Sequence, residues 1–335
     1  MRNISRILII SAGLAGFGGA LAETPIGPPE AISPEAQEFY RNLHMRQPLS
    51  ANYGDAQTMQ RLRDGLGKMF LGNARRITTD YELQQIDASG VPAYWVRTGT
   101  VAHRKKVIVY LHGGGYILGS PTTNLGVPLR VGPAARTPVL SVDYRLAPEH
   151  PFPAAVDDSL AVYRWLLGHG YRGRDIALLG DSAGGGLVVS LALAIRNAGL
   201  PMPAAIAALS PLTDLTPASD TRVTLAAFDP IVVGDPTARY ALYAGAHDVK
   251  DPLISPVYGD LQGLPPLLIQ VGTREVLLSD AARLARRARE AGVDVTLDVW
   301  EGMWHVFQEH PTAPEARQAS TEIGHFLERH LTGAR

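Results

Sequence analysis

Ile176-Ala177-Leu178-Leu179-Gly180-Asp181-Ser182-Ala183-Gly184-Gly185-Gly186-Leu187-Val188-Val189-Ser190-Leu191-Ala192-Leu193-Ala194 reads as a buried strand, a sharp turn and a helix. The two apolar runs flank one polar tip. Glycine stands on both sides of Ser182 because such a turn is strained and the helix must pass close to the strand. The arrangement holds one serine hydroxyl at the end of a sheet and so names a nucleophile. Gly180 to Gly184 taken alone carries little, since a Gly-x-Ser-x-Gly pattern arises by chance in roughly one chain in ten of this length at average glycine usage.

Upstream, Lys106-Val107-Ile108-Val109-Tyr110-Leu111 reads as another buried strand and runs into His112-Gly113-Gly114-Gly115-Tyr116. Three consecutive glycines leave backbone N–H groups unshielded, able to point at an oxyanion. Taken alone, the glycines equally suit a flexible loop between strand and helix. Two such motifs at strand ends reinforce each other.

Two further stretches complete the set: Asp143-Tyr144-Arg145-Leu146-Ala147-Pro148-Glu149-His150-Pro151-Phe152-Pro153-Ala154-Ala155, and Gly302-Met303-Trp304-His305-Val306-Phe307. With these motifs the chain resembles the hormone-sensitive-lipase-like esterases, or bacterial family IV lipolytic enzymes, of the GDSAG type. The resemblance covers most of the chain, from about residue 80 onward, and says little about substrate. It implies an α/β-hydrolase fold: a mostly parallel central sheet with helices on both faces and a helical cap.

The hydrophobic pattern agrees with an α/β class. Strands are expected near Leu83–Ala88, Ala93–Arg97, Val107–Leu111, Val139–Val142, Ile176–Leu179, Ala205–Leu209, Leu267–Val271 and Val295–Trp300. From the third strand onward they alternate with helices, expected over Ala155–Leu167, Gly184–Ala198, Ser279–Ala291 and Pro314–Leu331. Residues 35–75 read as two or three helices, with Phe39, Leu43, Met59, Leu62, Leu66 and Met69 on the buried faces. Residues 23–80 form a proline-rich tether and helices, residues 81–335 the catalytic unit, and 213–250 falls outside the βαβ rhythm. In the resembled family such segments form a cap over the carboxyl edge of the sheet.

Residues 1–22 stand apart from the fold. Arg2 and Arg6 make a basic start, Ile7 to Leu21 is apolar, and Ala20-Leu21-Ala22 fits a cleavage site. The apolar run is short of the ~20 residues of a membrane span. The expectation is a signal peptide cleaved after Ala22 and an exported protein, periplasmic or secreted, with no stable membrane span after cleavage; an uncleaved anchor is the alternative. The 335-residue chain has no cysteine, so neither disulfides nor thiolate ligands contribute. Its net charge is −1, from 31 basic and 32 acidic residues, which gives no overall pull toward nucleic acid. Arg283 to Glu290 carries four arginines and reads as a solvated helix face. No His-Glu-x-x-His, nucleotide-binding glycine loop or histidine cluster suggests a metal or cofactor.

Serine needs a base within hydrogen-bond reach, and the base an orienting carboxylate. In the resembled fold the order along the chain is serine, acid, histidine. Among ten histidines, His305 lies in a loop past the last strand and matches the family motif. Glu275 stands four residues past Val271, where the family usually has aspartate. Asp280, five residues later, is the alternative acid, although it suits the cap of the following helix. Arg274 could pair with either acid or face solvent. Arg145 reads as structural, in a buried ion pair, and Asp157 and Asp158 suit a helix's positive end. The resemblance implies an oxyanion hole from the amides of Gly114, Gly115 and Ala183. It also implies a carboxylesterase acting on small short-chain esters, with no cofactor and with a homo-oligomer open. A lactonase or amidase with the same triad, and a non-catalytic ligand-binding relative, are the competing functions.

Overall fold

The computed structural model describes residues 27–44, 55–99 and 105–333. The expected signal peptide, its cleavage site and the start of the proline-rich segment lie outside them, as does the side chain of Leu43.

Six strands run parallel: β3 (Val107–Leu111), β4 (Val139–Val142), β5 (Ile176–Asp181), β6 (Ile206–Leu209), β7 (Leu267–Gly272) and β8 (Val295–Trp300). The hairpin of β1 (Tyr81–Asp87) and β2 (Pro92–Thr98) joins them through β2, antiparallel to β4. The order is β1-β2-β4-β3-β5-β6-β7-β8. The central strands are short apolar runs because both faces are covered, and alternate side chains enter different cores. Val107, Val109 and Leu111 pack with α4 (Ala154–Gly168), α5 (Ala183–Asn197) and α8 (Leu278–Glu290). Ile108 and Tyr110 pack on the other face with α3 (Gly126–Ala134) and α9 (Pro314–Thr332). All eight expected strands are present.

The pattern gave no sign of α3. Its sequence holds Gly126, Pro128, Gly132 and Pro133, which read as loop, and it is buried nearly all round, so no polar face marks its period. The solvated arginine face expected on α8 holds for Arg286, Arg287 and Arg289, which are exposed, but not for Arg283. Arg283 pairs with buried Asp214 at 2.5 Å, while Arg286 pairs with Glu290 in the open.

Ahead of the sheet stand α1 (Pro34–His44) and α2 (Ala56–Ala74). Met59 is buried as expected, but Phe39, Leu62, Leu66 and Met69 are only partly so; Ala36 and Tyr40 form the inner face of α1. That face packs against Met303, Trp304 and Phe307, the neighbours of His305. From α2, Arg63 donates to the carbonyls of Ile117 and Ala147 and pairs with Glu149. In the 213–250 segment, α6 (Thr221–Thr224) and α7 (Thr237–Ala244) are short. Tyr243 stacks on Tyr116 at 3.6 Å, and Tyr40 donates to the carbonyl of Phe228 at 2.6 Å. Both segments therefore attach to loops at the carboxyl ends of the strands. Among the described residues no helix is long and apolar enough to cross a membrane.

Candidate active site

Ser182 sits between β5 and α5 with φ +55° and ψ −120°, outside the wells that L-residues favour. Its backbone is pinned on both sides. The amide donates to Leu209, and the carbonyl accepts from Gly186 and Leu212. A Cβ on Gly184 would fall 1.9 Å from the carbonyl oxygen of Leu111, so the first turn of α5 can lie against β3 only because it lacks a side chain. The hydroxyl is thus presented at a fixed place on the carboxyl edge of the sheet.

His305, in the loop after β8, brings Nε2 to 2.9 Å from Ser182 Oγ. Glu275, just past β7, lies on the other side of the imidazole, its Oε2 3.8 Å from His305 Nδ1. That is too long for a hydrogen bond. Both groups are buried. Burial pushes the Glu275 carboxyl well above its ordinary range, and the Ser210 hydroxyl, donating at 2.7 Å, opposes that rise. Burial pushes His305 down to about 3, helped by the charge of Arg239. The imidazole is therefore held neutral, with Nε2 free to accept a proton. Asp280 is not beside the histidine.

The glycine loop lies against the same serine. The amide of Gly113 donates to Asp181 Oδ1 at 3.0 Å, and Tyr110 Oη donates to the same oxygen. Gly113 is thereby committed to holding the loop. The amides of Gly114, Gly115 and Ala183 have no acceptor among the described residues. Gly114 has φ +124° and Gly115 φ +63°. Burial raises the Asp181 carboxyl to about 6. A surface cleft of about 710 Å³ lies at the opposite, amino-terminal edge of the parallel strands, between Tyr81, Trp95, Arg97, Pro138 and Tyr171, and touches none of these groups. Among the described residues no three histidine, aspartate or glutamate side chains are grouped to hold a metal ion.

A family model described as the alpha/beta hydrolase fold matches residues 108–309. A solved structure of an esterase from the bacterial hormone-sensitive lipase family superposes with a TM-score of 0.83 at 43% identity, covering 90% of this chain and 99% of that one. The chain belongs to the hormone-sensitive-lipase-like esterases. An acetyl-hydrolase of Streptomyces hygroscopicus is 42% identical over 272 residues, 77% of this chain and 90% of that protein. A carboxylesterase/phospholipase of Mycobacterium tuberculosis, LipF, is 37% identical over 259 residues, 75% of this chain and 69% of that one. The protein is a carboxylic ester hydrolase.

Several motif residues of this esterase stand elsewhere than the sequence suggests. Asp280 does not cap α8, whose N-cap Leu277 makes no side-chain bond. Its buried carboxylate instead accepts from the amides of Thr213 and Asp214 and from Ser219, and pairs with Arg222 at 3.0 Å. Arg274 meets neither acid; it donates to the Gly27 carbonyl and lies over the rings of Tyr40 and Phe228. Arg145 does form an ion pair, bidentate to Asp158, but Asp158 is buried while the arginine side chain is 49% exposed. Asp158 therefore serves Arg145, and only Asp157 is left exposed at the start of α4. His112 is fully buried, with Nδ1 2.8 Å from the Gly113 carbonyl and its ring stacked on Tyr144.

Sequence reasoning missed Ser210, Asp229 and the use of Asp181. Asp229 accepts from the amides of Ile231, Val232 and Val276, tying the 213–250 segment to the residue after Glu275. Ser210 had one available signal, a polar residue at the carboxyl end of a parallel strand, where sites in open α/β sheets form. Asp229 had none.

Proposed function

We propose that the protein is a serine carboxylesterase for short-chain esters, working through an acyl-enzyme. Ser182 attacks the ester carbonyl while His305 Nε2 takes its proton. The 2.9 Å contact between these two groups is the observation that carries this reading. The imidazolium that forms needs an anion at Nδ1, and Glu275 is the carboxylate on that side. Their separation of 3.8 Å suits a resting enzyme, in which catalytic contacts are often long and tighten as charge develops. The developing oxyanion is met by the amides of Gly114, Gly115 and Ala183, which need no reorganisation when the charge appears. His305 then gives its proton to the leaving alcohol. A water molecule, deprotonated by the same imidazole, attacks the acyl carbon and releases the acid and Ser182.

Preference for short acyl chains is supported by the relative described as an acetyl-hydrolase. Residues 1–22 support export with cleavage after Ala22, which N-terminal sequencing of the exported protein tests. For the chemistry, p-nitrophenyl esters from acetyl to palmitoyl should show greatest kcat/KM at two to four carbons. Ser182→Ala should lower turnover by at least about three orders of magnitude. A fluorophosphonate probe should label Ser182. Undiminished turnover in Ser182→Ala would refute the proposal.

A further inference from the structure

Ser210 follows β6 directly and is fully buried. Its backbone is left-handed, φ +43°, and its amide donates to the Gln270 carbonyl at 2.7 Å. Its hydroxyl lies between two loops, with Oγ 2.7 Å from Glu275 Oε2 and 3.0 Å from the amide nitrogen of Val306, the residue after His305.

We propose that Ser210 is a positioning residue for ester hydrolysis: its hydroxyl holds Glu275 as a carboxylate and ties the acid's loop to the histidine's. This rests on the triad reading above. A backbone N–H can only donate, so toward Val306 the hydroxyl oxygen accepts. The hydroxyl proton is then left for Glu275 Oε2, which must accept it. An oxygen that accepts there is either ionised or the carbonyl oxygen of the acid, and a donated bond favours the ionised form.

The surroundings of Glu275 press the other way. It is buried, its Oε1 has no partner, and the carboxylates of Asp229 and Asp280 lie close enough to disfavour a further negative charge. His305 faces it across 3.8 Å, and Arg239 faces His305 in turn. Ser210, with the backbone of Gly272, thus opposes the rise that burial and the neighbouring carboxylates impose on the acid. The same hydroxyl, through Val306, sets the distance between imidazole and carboxylate.

Two variants separate this role from a merely structural one. Glycine suits a left-handed backbone, so Ser210→Gly relieves the residue's strain while removing the hydroxyl. Its melting temperature should stay near that of the unaltered protein, while kcat for p-nitrophenyl acetate falls roughly tenfold to a hundredfold, as for a lost bond to a charged group. Without the donor the carboxyl of Glu275 holds its proton to higher pH, so the acid limb of the kcat profile should move upward. Ser210→Thr keeps the hydroxyl but puts a β-branched residue at positive φ. It should lose thermal stability, yet keep kcat and the acid limb once active enzyme is counted by fluorophosphonate titration. If Ser210→Thr does not fold, Ser210→Gly alone decides. Unaltered kcat and acid limb in Ser210→Gly would overturn the proposal. Ser182→Ala, measured alongside, tells the two failures apart. An inactive Ser182→Ala beside a fully active Ser210→Gly would sink only the role of Ser210, whereas an active Ser182→Ala would sink both.

Discussion

Two adjacent glycines in the loop after β3 should respond differently to one added methyl group. At Gly114 a Cβ would stand 2.2 Å from the carbonyl oxygen of Leu118 and 2.6 Å from its carbonyl carbon. These are backbone atoms and cannot rotate aside. The same carbonyl-rich turn is closed by bonds from the amides of Ile117 and Leu118 to the Gly114 carbonyl. Its φ of +124° also lies beyond the left-handed well, at about +50° to +70°, that L-residues visit. Gly114→Ala must therefore move the loop and with it at least one of the amides proposed to meet the oxyanion. Loss of one such donor costs about 3–4 kcal/mol, so kcat should fall roughly 10²–10³-fold. At Gly115 a Cβ meets nothing within 4 Å, and φ is +63°. Gly115→Ala should cost about 1–2 kcal/mol of backbone strain, read as a lower melting temperature, with kcat within about tenfold. Hydrolysis of p-nitrophenyl acetate, normalised to active sites by fluorophosphonate titration, measures both. Equal losses at the two positions, or full kcat in Gly114→Ala, would refute the argument that backbone contact rather than glycine content governs this loop.

Glu275→Ala should lower kcat roughly 10³–10⁴-fold with a modest change in melting temperature. Asp280→Ala should do the reverse. It strands the largely covered Arg222 and two amides, costing about 3–5 kcal/mol of stability while sparing turnover per folded molecule. Arg239→Gln removes a positive charge that helps hold the His305 imidazole unprotonated, so the histidine should protonate at higher pH and the acid limb of kcat/KM should rise. An unmoved or lowered limb counts against that contact. Tyr40→Phe deletes the bond from α1 to the Phe228 carbonyl and should cost about 1 kcal/mol in thermal unfolding, without altering kcat.

Much of the fold was legible because its signals are local. Each central strand is a short apolar run, such as Val107–Leu111, bounded by turn residues, and burial on both faces leaves no other use for such a run. The amphipathic α9 showed its period because one of its faces is exposed. The helix α3 did not, since a helix buried nearly all round has no polar face to mark it. Ser182, His305 and Glu275 could be nominated from motif and position. Their separations could not, and neither could the partners of Asp280, which depend on how the 213–250 segment returns across the start of α8. Ser210 shows only its place at the end of a strand, and neither its bond to Glu275 nor that of Asp229 to Val276 has a local mark, because those partners are tens of residues away.

By itself the amino-acid order determined the turn at Ser182 and the bare amides of the glycine loop. Both follow from what a missing Cβ permits within a few residues. Tertiary structure alone decided which of two acids five residues apart stands beside the imidazole. Glu275 precedes α8, next to Ser210 and His305. Asp280 lies within the first turn of α8, among Thr213, Ser219 and Arg222. The choice depends on strand order and on the loops that meet at the sheet edge, because contact between loops far apart in the chain is set by packing.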